Sequence, residues 1–268
     1  MEPVVCTTVI VSYNSRRHLP ALLQDLHHYQ PGSPIIVIDN ASPDGTADLV
    51  QADFPEVKLV RNAANVGYAA AANQGFALCS TAHVFLLNPD IRIQDPQVFR
   101  SLRRCLDDDP RVAVAGPLQV KHEGSRPHLN FTWSFLTPRA FPIYVRHLFR
   151  LPLSQVGPLR VLFLNAGCLY VRRTAFEAVA GFSEKYFLYG EEPDLFLKLV
   201  RFGWECRLVP DVSVLHARDQ SLQSTHPLRQ AKFRLQGAVN IADAVLRGIA
   251  WIWADRLAGR RQDEAWRE

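Results

Sequence analysis

The chain has 268 residues, 48% of them hydrophobic and 21% charged, with a formal net charge of +4. That is long enough for a large domain with a real core and ordinary in composition for a soluble globular protein. The small positive excess suits an anionic ligand or a membrane surface and is too weak to argue for a nucleic-acid partner. The five cysteines include no CxxC pair, and several sit inside apolar runs, so they read as buried free thiols in a reducing compartment. The N-terminus lacks a basic segment followed by an apolar one. No stretch reaches about 18 uninterrupted apolar residues. The expected location is cytoplasmic.

Along the first third, two periods alternate. "TTVIVSY" (7–13) is a β-branched run, and "SRRHLPALLQDLHHY" (15–29) carries leucines at helical spacing. "PIIVIDN" (34–40) reads as a strand, and "SPDGTADLVQADF" as a helix with Ser42 as its N-cap. "EVKLVRN" is a third strand, "VGYAAAANQGFALCS" a small-residue helix and "AHVFLLN" a fourth strand. Strands alternating with helices of this length imply βαβ units and a largely parallel sheet. A helix over 95–109 and a strand at "RVAVAGPLQV" follow.

From about 121 to 160 the regularity fails among prolines, aromatics and arginines, and the segment reads as an irregular insertion. Order returns with a strand over 161–173, a helix at "TAFEAVAGF", a second helix at "EEPDLFLKLVRFG" and a strand pair at "ECRLVPDVSVLH". The tail from 226 to about 258 is a long amphipathic helix containing tryptophans. It suits docking on the domain, an oligomer contact such as a homodimer, or a seat on a membrane face.

In parallel α/β sheets, ligands bind beyond the carboxyl ends of the strands. Here those ends are Ser12-Tyr13-Asn14, Asp39-Asn40, Asn62 to Asn65, and Asn88-Pro89-Asp90, all expected on one edge. Neither GxGxxG nor GxxxxGK[ST] occurs, which weakens oxidoreductase and NTPase readings.

Seven stretches in order, "VIVSYNS", "VIDNASPDGT", "RNAANVGYAAAANQG", "FLLNPDI", "NAGCLYVRR", "FEAVAGFSEKYFLYGEEPDL" and "VLHARDQS", resemble family-2 glycosyltransferases of the GT-A fold. The likeness is greatest to the bacterial rhamnosyltransferase-like branch and spans roughly residues 5 to 221. It implies an α/β domain with a Rossmann-like, mostly parallel central sheet flanked by helices. A nucleotide-sugar-binding half would cover 1–118, an acceptor and catalytic half 119–221, and a helical extension 222–268. The implied reaction is inverting transfer from a nucleotide-sugar donor, dTDP-rhamnose or a UDP-sugar, to a glycan or lipid-linked saccharide in cell-surface polysaccharide assembly.

The resemblance also assigns residues. The backbone around Val11 and Tyr13, with Asn14 beside it, and the carboxylate of Asp39 would read a pyrimidine. Asp39 also fits a turn or capping role. Asn65, Gly67 and Asn73 match the family's NxG…N stretch, although Ala72 stands where a second Asn is usual. Asn88-Pro89-Asp90 takes the place of the DxD motif, which binds Mg²⁺ or Mn²⁺ and the donor diphosphate; Asn-Pro is also a common turn starter. His216 would complete the metal site beside Asp90, or be structural. Glu192 falls at the catalytic base, with Glu191 and Asp194 able to share the role or merely to favour a helix N-terminus. Glu replaces the usual Asp there, and Gly190 replaces a usual aromatic. Arg172 and Arg173 are either diphosphate contacts or solvated charges. A nucleotidyltransferase and a noncatalytic sugar-nucleotide-binding protein are the rival readings.

Overall fold

The computed structural model describes residues 6–121, 157–217 and 227–257. The elements in chain order are β1 (Thr7–Ser12), α1 (Leu19–Tyr29), β2 (Ile35–Asp39), α2 (Thr46–Asp53), β3 (Lys58–Arg61), α3 (Tyr68–Ala77) and β4 (His83–Leu87). They continue with β5 (Ile91–Arg92), α4 (Gln97–Asp107), β6 (Val112–Val120), β7 (Leu159–Val161), β8 (Cys168–Arg172) and α5 (Arg173–Ala178). Last come α6 (Glu191–Arg201), β9 (Glu205–His216) and α7 (Pro227–Leu257).

Among the described residues one sheet runs β3-β2-β1-β4-β8-β6-β9-β5, with β7 also paired to β9. Strands β3, β2, β1 and β4 are mutually parallel, as the alternation of strand and helix requires. β8 is antiparallel to both β4 and β6, while β6 and β9 are parallel. Two reversals cancel, so β1, β2, β3, β4, β6 and β9 all point the same way. Their carboxyl ends share one edge.

Both faces of the sheet are buried, as expected of parallel strands that read as apolar runs. Val9, Ile36, Ile38, Leu86, Leu169 and Val171 face the core that Phe76, Phe176, Leu195 and Phe196 close. Ile10, Val37, Phe85, Leu87 and Tyr170 face the opposite core under Leu22, Leu26, Phe99 and Leu102. All five cysteines are buried and free, as their apolar surroundings predict.

Three local expectations are corrected. Helix α2 starts at Thr46, not after Ser42: Gly45 holds the N-cap position in the left-handed region, and Asp44 Oδ1 accepts the Thr46 N–H at 3.0 Å. Ser42 instead accepts the Asn14 N–H at 2.9 Å and ties the first two strand-end loops together. The strand read over 161–173 is split, because Asn165 Oδ1 takes the Gly167 N–H at 3.1 Å and forms a turn before β8. The pair read at "ECRLVPDVSVLH" is one strand, β9, whose register against β6 jumps between Val209 and Ser213. Pro210 lies in that break, where a missing N–H costs no ladder bond.

Helix α7 docks on the domain. Its Asp255 forms a fork with Arg201 of α6 (2.7 and 3.2 Å), and its Asn240 donates to the Leu188 carbonyl at 3.1 Å. Its Asp243 accepts from Tyr186 at 2.7 Å and pairs with Lys185. The docked helix leaves Leu235, Val239, Leu246 and Trp253 exposed. The irregular insertion falls mostly on 122–156 and the end of "VLHARDQS" on 218–221, both outside the described residues.

Candidate active site

The shared carboxyl edge gathers the polar strand ends. Ser12 and Asp39 are register partners on β1 and β2, one step beyond the pair Val11 and Ile38. Asp39 is 3% exposed. One of its oxygens accepts the Ser42 N–H at 3.0 Å, while Oδ1 is buried without a partner. Ser12 Oγ and Asn14 Oδ1 are buried and unpartnered too. Unsatisfied buried polar atoms cost about 1–3 kcal/mol each, so three at adjacent strand ends mark a place built for polar contacts. Asn14 takes φ 54°, which Asn tolerates better than most residues, and Tyr13 beside it is exposed.

The next loop is built around Asn40, the second residue of the Asp39-Asn40 strand end. Its amide donates to Asn65 Oδ1 (2.9 Å) and the Gly67 carbonyl (3.1 Å), and its oxygen accepts from Asn62 (3.1 Å) and the Val66 N–H (3.0 Å). Asn65 also takes the Gly67 N–H at 3.0 Å. Gly67 has φ 86°, and a Cβ there would lie 2.6 Å from the Phe187 carbonyl oxygen. This brings α3 against the segment that leads into α6. Asn73 clasps the same segment, exchanging hydrogen bonds with the Phe182 backbone and donating to Glu184, each at 3.0 Å. Its carboxamide is thus already occupied within the protein.

Asn88-Pro89-Asp90 follows β4. The Asn88 N–H is held by the Gly167 carbonyl at 2.9 Å. Two-residue β5 then pairs with the end of β9, matching Ile91 to His216. Arg92 forks onto Asp25 of α1 (2.7 and 2.9 Å), which also accepts the Ile93 N–H, so β5 is fixed from both sides. Asp90 Oδ1 consequently stands 3.4 Å from His216 Nε2. The other ring nitrogen of His216 lies 2.6 Å from Gln119 Oε1 at the end of β6.

The three acids of the α6 first turn have separate environments. Asp194 is 4% exposed and paired with Lys198 at 3.1 Å. Glu191 is 3% exposed, and burial followed by the charge of Glu192 pushes its carboxyl up to about 8. The buried Tyr68 hydroxyl, raised by burial and by both glutamates, lies in the same electrostatic environment. Glu192 alone of the three is partly exposed. Gly190 precedes them at φ 95°, where a Cβ would meet Asn240 and Tyr186 at 2.9 Å. The aromatic expected at 190 has no room because α7 fills that space.

Arg172 and Arg173 are neither phosphate contacts nor solvated charges. Arg172 donates to the carbonyls of Val112 (3.0 Å) and Leu106, and Arg173 to that of Thr81 (2.9 Å). Arg172 pairs with His83 at the start of β4, at the far edge from Asn88.

The sequence profile of glycosyl transferase family 2 matches residues 7–180, well over half the chain. The chain belongs to glycosyl transferase family 2. It is 29% identical over 247 residues to an N-acetylglucosaminyl-diphospho-decaprenol L-rhamnosyltransferase of Mycobacterium tuberculosis, covering 81% of this chain and 77% of that one. It is 36% identical over 81 residues to a polyprenol monophosphomannose synthase of Mycolicibacterium smegmatis, covering 28% of this chain and 31% of that one. Its fold is that of the mannosyltransferase PcManGT of Pyrobaculum calidifontis, solved with GDP-Man and Mn²⁺ (TM-score 0.60, 16% identity, 99% of this chain and 78% of that one). GalNAc-T7, solved with UDP, GalNAc and Mn²⁺, superposes with TM-score 0.60 at 16% identity over 79% of this chain, which spans 43% of that one. The fold is GT-A, as the resemblance implied.

In this family 2 glycosyltransferase, no group of three or more His, Cys, Asp or Glu forms a metal cage among the described residues. The Asp90–His216 pair still fits a small divalent ion, which keeps waters and takes further oxygens from substrate phosphates. Gln119 and Tyr68 went unnoticed in the sequence. The available signal was a glutamine in the otherwise apolar strand "VAVAGPLQV" and a tyrosine opening a small-residue helix.

Proposed function

We propose that the chain transfers L-rhamnose from dTDP-L-rhamnose, with inversion, to a hydroxyl of a lipid-linked saccharide during cell-surface polysaccharide assembly. The observation that carries the donor and acceptor classes is the similarity to the mycobacterial rhamnosyltransferase over 81% of this chain. The unpartnered Asp39 oxygen at the edge of β2 suits the N–H of a thymine, with the backbone at Val11 and Tyr13 as its neighbours. Asp90 and His216 would hold the divalent cation, Mg²⁺ or Mn²⁺. Bound there, the cation would neutralise charge on the departing diphosphate.

Inverting transfer is a single displacement at the anomeric carbon, so the acceptor hydroxyl must lose a proton on the face opposite the leaving diphosphate. Glu192 is assigned that proton. Of the acids in its turn, Asp194 is spent on Lys198 and Glu191 is buried. A carboxylate in this role contributes about 10²- to 10⁴-fold.

Among the described residues, no helix is long and apolar enough to cross a membrane. The exposed Leu235, Val239, Leu246 and Trp253 of α7 favour a peripheral seat on the cytoplasmic face of the inner membrane, where a lipid-linked acceptor would be met. A homodimer through this helix is the competing use of that surface.

Donor hydrolysis with dTDP-, UDP- and GDP-sugars, with and without Mn²⁺ or Mg²⁺, tests the reading without an acceptor. Metal-dependent selectivity for dTDP-rhamnose is expected. Preference for a UDP-sugar would keep the reaction class and discard rhamnose. Failure of every nucleotide sugar to bind would overturn the proposal.

A further inference from the structure

Gln119 sits at the end of β6, 3% exposed, and its side chain is fixed from both sides. Its amide nitrogen lies 2.9 Å from the Asn165 carbonyl oxygen. A carbonyl only accepts, so the nitrogen must face Asn165 and Oε1 must face the other way, toward His216. The 2.6 Å contact between Gln119 Oε1 and His216 Nδ1 is therefore donated by the imidazole. In a neutral ring, Nδ1 then holds the proton and Nε2 the lone pair.

That lone pair faces Asp90 Oδ1 across 3.4 Å. The gap is longer than the 2.7–2.9 Å of a charge-assisted hydrogen bond. It is close to the roughly 3 Å between two neighbouring ligands of an ion bound at about 2.1 Å. With the ring neutral, two electron-pair donors at this distance repel each other unless a cation lies between them; a second proton on Nε2 would instead join them as an ion pair. Gly167 completes the arrangement: a Cβ there would come 2.5 Å from His216 Cε1, 2.8 Å from Nδ1 and 3.0 Å from Gln119 Oε1. A side chain at 167 would thus drive the imidazole off Gln119.

We propose that Gln119 is a positioning residue that fixes His216 in the Nδ1–H tautomer, through the contact Gly167 leaves room for, and so presents Nε2 with Asp90 as a cation-binding pair. This rests on the metal assignment of the proposed function and adds the group that orients the ligand. Outer partners of this kind typically change metal affinity by about 10- to 100-fold.

The test uses the full chain and Mn²⁺ alone. Long-range ¹H–¹⁵N correlation on metal-free protein reads the His216 tautomer, and electron paramagnetic resonance of free Mn²⁺ reads affinity. The wild type should show Nδ1–H. Gln119→Leu, close in size but unable to accept, should populate both tautomers and weaken Mn²⁺ binding about 10-fold or more. Gln119→Glu, which restores the acceptor facing Nδ1 while its other oxygen loses the bond to the Asn165 carbonyl, should shift the ring back toward Nδ1–H. An Nε2–H tautomer in the wild type overturns the inference, as does unchanged Mn²⁺ affinity in a folded Gln119→Leu variant. If the wild type shows Nδ1–H but takes up no Mn²⁺, the metal reading fails and Gln119's place in it fails too, while the tautomer assignment stands.

Discussion

Gly190 and Asn240 are packed so closely that a Cβ on the glycine would stand 2.9 Å from Asn240 Cβ. The glycine and the C-terminal helix are therefore complementary: one vacates the space that the other fills, directly before the acidic turn. Gly190→Ala adds left-handed strain of about 1–2 kcal/mol and overpacking of about 1–3 kcal/mol. The expected result is a loss of about 2–5 kcal/mol in chemical denaturation. Asn240→Gly in the same chain should cost less than it does alone, since residues in contact are not additive.

Glu192→Gln should lower transfer by about 10²- to 10⁴-fold while nucleotide binding stays within about twofold of wild type. Steady-state rates with dTDP-rhamnose, paired with calorimetric titration of dTDP, separate the two. Retained turnover would move the proton transfer elsewhere. Asp194→Asn should instead act on stability, because it leaves the mostly buried Lys198 without its ion-pair partner.

Glu191 gives the pH dependence. Its carboxyl is raised from the ordinary value of 4.5 to about 8, so between these limits the fold binds a proton that the unfolded chain releases. Stability from this group is greatest below pH 4.5 and is lost as pH rises to about 8. Glu191→Gln should remove that slope. Its gain in Tm should be absent near pH 4.5 and largest near pH 8, at about 2–4 °C per kcal/mol in a domain of this size. Melting curves of both proteins across this range check it.

Asp39→Ala should weaken nucleotide binding by about 10- to 100-fold, the loss expected for a hydrogen bond to a charged group of about 1.5–3 kcal/mol. Fluorescence or calorimetric titration with dTDP and UDP reads it directly. Equal affinity would return Asp39 to a purely local role as acceptor of the Ser42 N–H.

The sheet was legible because its strands are continuous apolar runs and its helices have unmistakable spacing. β1 to β4 and α7 lie where the pattern puts them. The strand-end rule also brought Asp39, Asn65 and Asn88 to one edge before any coordinate was known. Other features depended on contacts between residues far apart in the chain. Nothing local says that Asn73 will reach across 109 positions to Phe182, or that Arg172 will brace the carbonyls at the end of α4. Ser42 read as a helix cap because Ser before an apolar period usually is one, but its partner turned out to be Asn14, 28 residues away. Gly190 looked like a departure from a pattern until the helix that needs it was in place.

The five thiols have a practical consequence. Burial raises Cys79 and Cys105 to about 11, Cys6 and Cys206 to about 12, and Cys168 well above its ordinary value. At neutral pH the native chain therefore offers maleimides almost no thiolate. A single cysteine placed at exposed Leu246 would be a background-free attachment point, and an environment-sensitive dye there would show whether the outer face of the C-terminal helix meets water, lipid or another copy.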